Sequence, residues 1–401
     1  MLREGRERGY RLTIAPTLVV AGGPEGVFNG TQTVLQMVRQ RRVLPGGSVR
    51  DWPTYPERGL MLDVGRQYMS MPWIRQRVRE MAYLKLNHLH LHLSDKQGFR
   101  LESVSHPEVV AERHYTKAEI RELVEYAARL GVRVVPEIDF PGHMDAILAA
   151  HPDLRLVDRR GVVRPGFIDL AKPGAYRLIG DLIGEFLPLF PSEYFHIGGD
   201  EYVSDYDDYP QLAAFARERF GPGATGKDAY HGFLNWANGL VRAGGKTTRM
   251  WNDGLRPGGA TVPVDRDIVV EHWSMAGPVP WLGGAYSPRE LSAAGYRVQN
   301  AAFTPTYFAT GSAAALLNTD AATMYSTWDP SIFVDRSRLA GGLGAVLHVW
   351  CDDPDAMGEA RIAGEIHDRL RVMAQHTWRS PAPALYPVFL NGVRAVGGPP
   401  A

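Results

Sequence analysis

Residues 194–201 read YFHIGGDE. Tyr194, Phe195 and Ile197 have the aromatic and β-branched character of a short buried strand, and Gly198 and Gly199 remove side chains where something must approach the backbone closely. Such a strand ends by delivering Asp200 and Glu201 side by side into a cleft. Neighbouring carboxylates repel, so surroundings that protonate one and ionise the other turn the pair into an acid and an anion. A solvated turn could carry the same two residues, and the rest of the chain has to decide between them.

Working outward from this stretch, apolar runs of strand length recur at Gly59 to Val64, His88 to Leu93, Val132 to Ile138, Thr247 to Trp251, Ile268 to Trp273, Arg297 to Phe303 and Ala345 to Trp350. With Tyr194 to Ile197 they make eight. Helical patterns separate most of them, at Pro72 to Leu86, Thr116 to Leu130, Pro173 to Phe190, Tyr230 to Ala243 and Pro288 to Ala294, and Pro354 to Thr377 follows the last. Strand and helix in alternation predict a parallel sheet, and eight units predict closure into a (β/α)8 TIM barrel. Asp253 to Asp267 and Phe303 to Leu343 are loop-rich, so two outer helices are expected to be reduced.

Chemistry in such a barrel sits at the carboxyl ends of the strands. Those ends carry Asp63 and Arg66, Asp95, Glu137 with Asp139 and His143, Asp200 and Glu201, Trp251 and Asp253, Trp273, and Trp350 with Asp352. Polar and aromatic groups thus gather at one end of strands that were read from hydrophobicity. Tryptophan can be plain core, but three indoles among acids and an arginine suit a sugar ring, whose C–H face stacks while its hydroxyls take hydrogen bonds.

Composition agrees. The 401 residues are 45% hydrophobic, and 44 Lys and Arg balance 44 Asp and Glu, so no basic field exists to draw nucleic acid or an anionic membrane. Cys351 is the single cysteine, which excludes an internal disulfide and a cysteine metal cluster. No apolar run is long enough to span a bilayer, and no leader is read at Met1. Ahead of the barrel, Tyr10 to Ile14 and Leu18 to Ala21 read as strands around Pro16, and Thr31 to Arg39 as a helix opened by Asn29, Gly30 and Thr31. Gly46, Gly47, Pro53 and Pro56 mark a linker. The expected division is a partial α+β unit at 1–50, a linker at 51–57, the barrel at 58–380 and a tail at 381–401.

The motifs RGLMLDVGR (58–66), HLHLHLSDKQGFR (88–100), PEIDFPGH (136–143) and HIGGDE (196–201) resemble, in order, the signatures of the family-20 glycoside hydrolases, the β-N-acetylhexosaminidases. The resemblance covers nearly all the barrel, and GYRLTI to GTQTVLQM is similar to the second half of the small α+β domain that precedes it in that family. It implies retaining hydrolysis of terminal β-linked N-acetylglucosamine or N-acetylgalactosamine, with the substrate's acetamido oxygen as nucleophile, and no metal or organic cofactor. By the same resemblance Glu201 is the acid and then the base, and Asp200 holds the acetamido N–H. His143 and Asp95 form the relay behind Glu201. Arg66 grips the outer hydroxyls, Trp251, Trp273 and Trp350 wall the sugar, and Asp352 stands where the family usually has Glu.

Two positions depart from the pattern. The family's Tyr-x-Asp after the seventh strand has its nearest counterpart in Tyr307, followed by Phe308 and Ala309, with Tyr286 and Tyr325 as alternatives. Asp352, one methylene shorter than Glu, enlarges the outer edge of the pocket, as in the related lacto-N-biosidases that release a disaccharide. Two readings of other classes remain: a sugar-binding module without catalysis, against which both acids argue, and a zinc-dependent amidohydrolase. For the latter, His88, His90 and His92 alternate along one strand and point one way, with His196, His272 and His348 on later strands. The triplet precedes its strand end, which suits layered core histidines bonded to one another or to Glu137 or Asp139. Subunit number is left open.

Overall fold

The computed structural model describes residues 8–41, 43–275 and 284–400, so the reading made at Met1 lies outside the described residues. Eight parallel strands form the barrel: Glu57–Asp63, His88–His92, Arg133–Phe140, Tyr194–Gly198, Thr247–Trp251, Val269–His272, Arg297–Asn300 and Gly344–Trp350. Each pairs with its sequence neighbours, and the eighth returns to the first over six residue pairs, Gly344 to Val349. The ring is an α/β TIM barrel. Its strands are buried almost throughout, as a sheet covered by helices outside and side chains inside requires.

The seam between the seventh and eighth strands is thin. Only Asn300 pairs directly with Ala345, and the seventh strand stops there rather than at Phe303 as the apolar run suggested. The chain then resumes as a short strand, Tyr307–Ala309, which pairs with the upper part of the eighth so that Ala309 lies opposite Trp350. This detour carries Tyr307 to the mouth of the barrel.

Outer helices follow most strands, and local chemistry sets where they begin. Thr116, Thr225 and Ser287 each cap a helix whose third residue, Glu119, Asp228 or Glu290, bonds back to the cap. The cap at Thr225 starts its helix at Gly226, earlier than the expected Tyr230. The last barrel helix begins at Glu359 rather than Pro354 and runs to Trp378. No helix is assigned among the described residues from Asp253 to Asp267, and Phe303 to Leu343 holds only short helical pieces, so the reduction expected there is real.

The opening unit holds more regular structure than its sequence suggested. Its helix runs Pro24–Arg41 instead of starting at Thr31, and Gly47–Asp51, read as the approach to a linker, is a third strand paired with Tyr10–Ile14. Asp51 fastens this sheet to the barrel by accepting from Tyr10 Oη at 2.8 Å and from Trp378 Nε1 at 2.9 Å. The segment expected as a tail contains a helix, Tyr386–Val396, whose Phe389 ring stacks on Tyr325 at 4.6 Å. No described helix is long and apolar enough to cross a membrane.

Candidate active site

The fourth strand ends in a forced turn. Gly198 and Gly199 have φ of +73° and +94°, and a Cβ on Gly198 would sit 1.6 Å from Asp139 Oδ1, so no side chain fits there. Two residues later Glu201 takes φ +53° without being glycine, and His143, after the third strand, takes the same angle. Left-handed backbone of this kind costs an L-residue about 1–2 kcal/mol, and it persists where the surroundings hold it. Asp253 Oδ2 holds Glu201 by accepting its N–H at 2.9 Å, and Tyr230 Oη donates to the Gly199 carbonyl.

The turn brings both acids to one imidazole. His143 Nε2 lies 3.4 Å from Asp200 Oδ2 and 3.4 Å from Glu201 Oε2, while its Nδ1 faces Asp95 Oδ2 at 3.4 Å. Asp95 is fixed by His92 Nε2 at 2.8 Å and by Arg66 at 2.9 Å, and Arg66 also pairs with Asp63 at 2.9 Å. Burial opposes the charge on His143, but Asp95 and Asp200 outweigh it and hold the ring well above the usual histidine range. Burial likewise pushes Asp95 up, and Arg66 and His143 overcome it, so this carboxylate stays ionised. Asp200 differs. Burial carries it up to about 7 despite His143, with Asp253 and Glu201 adding repulsion.

These groups open onto a cavity of about 340 Å³. Arg66, His143, Asp200, Glu201, Trp251, Trp273, Tyr307, Trp350 and Asp352 all line it, and Asp95 stands behind His143. The Trp273 and Tyr307 rings are nearly parallel at 12° with centroids 6.3 Å apart, and Trp350 meets Tyr307 at 5.6 Å and Trp251 at 5.9 Å. Each of two indoles is aimed by an acid: Trp251 Nε1 donates to Glu137 at 2.7 Å and Trp273 Nε1 to Asp253 at 3.0 Å. The Arg66 guanidinium lies 5.2 Å from the Trp350 ring centroid. Burial raises the Asp352 carboxyl, and Arg66 partly offsets it.

Of the three tyrosines left open by the sequence, only Tyr307 borders this cavity. Tyr325 is turned away to the Pro383 carbonyl, and Tyr286 accepts through its own carbonyl from His272 and borders a separate hollow. Asp253 and Asp139 belong to the site although their roles were not assigned in advance. Burial and then Glu201 push Asp253 up to about 6, and burial with Asp200 nearby keeps Asp139 well above the carboxylate range. Their position at strand ends was the available signal. Leu316 and Leu317, which complete one wall, come from a loop-rich stretch that gave none.

The histidine triplet lies below this cavity and none of its members lines it. His90 and His92 meet Glu137 Oε2 at 2.9 and 2.6 Å, and His196 meets Oε1 at 3.1 Å. Ligand atoms of His90, Glu137 and His196 lie within 4.8 Å of one another, the spacing of an ion site. Both oxygens of Glu137 are already engaged, by these imidazoles and by Trp251, in a layered polar core.

The model of glycosyl hydrolase family 20, catalytic domain, matches residues 55–381, and that of domain 2 of the same family matches residues 4–52. The chain belongs to glycosyl hydrolase family 20. Membership sets aside the zinc-dependent amidohydrolase. A lacto-N-biosidase of Bifidobacterium bifidum is 33% identical over 387 residues, covering 94% of this chain and 33% of that protein. A β-hexosaminidase of Akkermansia muciniphila is 34% identical over 277 residues, covering 61% of this chain and 55% of that protein. The family-20 chain thus spans from a third to just over half the length of these curated relatives. A mutant Streptomyces plicatus β-hexosaminidase solved with its product GlcNAc superposes with a TM-score of 0.72 at 26% identity, covering 97% of this chain and 80% of that one.

Proposed function

We propose that this chain is a retaining β-N-acetylhexosaminidase that removes terminal β-linked N-acetylglucosamine or N-acetylgalactosamine, with the substrate's acetamido oxygen as nucleophile. The observation that carries the reading is the convergence of Asp200 and Glu201 on a single nitrogen of His143, at 3.4 Å each. Both acids approach the substrate from one wall. Two carboxyls so arranged do not straddle a glycosidic bond as acid and nucleophile, and the nucleophile has to come from elsewhere.

In this scheme Glu201 gives its proton to the glycosidic oxygen as the acetamido oxygen bonds to the anomeric carbon and the leaving group departs. Asp200, whose carboxyl is carried up to about 7 by burial, acts in its ionised form, which the charged His143 ring favours; it accepts the acetamido N–H and steadies the positive charge of the cyclic intermediate. Glu201 then takes a proton from water as that water opens the ring, which restores both the acid and the β configuration. His143, held by Asp95, faces both acids, and its charge favours the ionised form of Asp200. Tyr307 donates to the acetamido oxygen, Trp251, Trp273 and Trp350 enclose the acetamido group and sugar face, and Arg66 with Asp352 takes the outer hydroxyls.

A second reading, release of a disaccharide, is favoured by Asp352 and by the similarity to a protein named lacto-N-biosidase. Aryl glycosides of N-acetylglucosamine, N-acetylgalactosamine and lacto-N-biose with the same phenol separate the two. Turnover of the monosaccharides is expected, and a thiazoline mimic of the intermediate should inhibit far more tightly than the free sugar. Turnover of the disaccharide only would move the assignment to the second reading. Indifference to the thiazoline would remove the acetamido nucleophile.

A further inference from the structure

A second and larger cavity, about 980 Å³, lies beside the first, and Glu201 is the one described residue that lines both. A proton donor must face the bond between the sugar that stays and the group that leaves. If the tryptophan-walled cavity holds the retained sugar, the space across Glu201 receives the leaving group. At nearly three times the volume of its neighbour, that space reaches the upper end of the ~300–1,000 Å³ typical of small-molecule sites.

The larger cavity has fixed walls. Its floor is the loop after the fifth strand, where an outer helix is missing. Lys227 Nζ pins that loop by donating to the carbonyls of Arg256 at 2.6 Å and Gly258 at 2.9 Å, and Asp228 accepts from the backbone of Thr261 and Val262, each at 2.6 Å. Tyr206 packs against the first turn of the helix at Gly226 and borders the space, as does Phe167, with the Arg164 guanidinium 5.1 Å from the Phe167 ring centroid. Arg217 completes the opposite wall from the helix Pro210–Phe220. Arg164 and Arg217 are exposed, and neither joins an ion pair with a carboxylate among the described residues. Aromatic rings beside guanidinium groups whose N–H donors have no carboxylate partner among the described residues suit polyhydroxylated rings.

We propose that this cavity is the leaving-group site and that it takes an oligosaccharide of two or more sugars, held by Phe167 and Tyr206 as ring faces and by Arg164 and Arg217 as donors. The proposal rests on the reading of Glu201 as the acid. The experiment compares kcat/KM for an aryl N-acetylhexosaminide with di-, tri- and tetrasaccharides ending in the same sugar, in the wild-type chain and in an Arg164→Ala, Arg217→Ala double variant. Both positions are at the surface, so folding should survive.

The wild type should gain about fivefold or more from the di- to the tetrasaccharide, through KM, as expected for one or two new hydrogen bonds. The double variant should lose that gain while its aryl glycoside rate stays within about twofold. A length-independent kcat/KM, or equal losses on aryl and oligosaccharide substrates, overturns the leaving-group site and leaves the hydrolase standing. Failure to cleave the aryl glycoside at all counts against the hydrolase instead, and in that case calorimetry decides the site: the tetrasaccharide must bind the wild type more tightly than the double variant.

Discussion

Two polar networks share the interior of this barrel and are built differently. At the floor, Arg249 donates to both oxygens of Glu57 at 3.0 Å each, to Glu271 at 2.6 Å and to Gln299 at 2.6 Å. At the mouth, His143 stands 3.4 Å from each of Asp95, Asp200 and Glu201. The floor matches charge with charge. The mouth leaves Asp200 Oδ1 and Asp139 Oδ2 buried without a hydrogen-bond partner, and these two carboxyls stay protonated to higher pH. Glu271 Oε2 at the floor also lacks a hydrogen-bond partner, but the other oxygen of that carboxylate is paired with Arg249 at 2.6 Å. Short, charge-matched pairing fixes strand ends in place, whereas loose pairing keeps protons movable and leaves contacts for a substrate to complete.

Substitutions should therefore separate rate from stability. Glu201→Gln, at the mouth, is expected to cut kcat/KM on poor leaving groups by about 10²–10⁴, the usual worth of a general acid, while the thermal midpoint hardly moves. A stability loss in proportion to the rate loss would erase the distinction. Arg249→Met, at the floor, should cost about 3–5 kcal/mol in denaturant unfolding because Glu57 and Glu271 lose their buried cation. The folded remainder should keep most of its kcat. Adding Glu57→Gln and Glu271→Gln should recover part of that loss, and an equally unstable triple variant would mean that Arg249 acts through packing instead.

The same division decided what the sequence could disclose. All eight barrel strands are legible because both faces of each are covered, so hydrophobicity ends where the active face begins. Gly47–Asp51 was missed because its residues are nearly all exposed and its partner, Tyr10–Ile14, lies 33 or more positions away in the chain. The helix Tyr386–Val396 was missed for a similar reason: it has no buried residue, and Pro387 and Gly392 weaken its pattern. Ten site residues were named from strand ends and motif resemblance, and the structure gathers them around one cavity. Tyr307 remained ambiguous because its place depends on a short strand inserted beside the eighth, a pairing that leaves no period in the local sequence. The pinned loop from Arg256 to Val262 was read only as a missing helix, since its bonds to Lys227 and Asp228 are tertiary.

The smallest expected effect is also the sharpest contrast: one acid-to-amide change made in both networks. Asp139 Oδ1 accepts from Gly199 N at 3.3 Å, a bond that an amide oxygen can keep. Burial and Asp200 raise its carboxyl well above 3.8, so the native state holds a proton that the unfolded chain has already released. Stability from that proton is complete below the unfolded pKa and is lost as pH rises through the folded one. An amide in its place has no such proton to lose. Asp139→Asn should thus unfold close to wild type near pH 4 and gain about 1–3 °C over it by pH 8. Glu271 has the opposite sign. Burial would raise it, but Arg249 and the neighbouring histidines carry it down to about 2, so its stabilisation is present above the unfolded value of 4.5 and fades as pH falls toward 2. Glu271→Gln should lower the thermal midpoint throughout the neutral range, with the gap to wild type closing in acid. If the two variants follow the same pH course, burial alone governs both carboxyls and the floor and the mouth are one network.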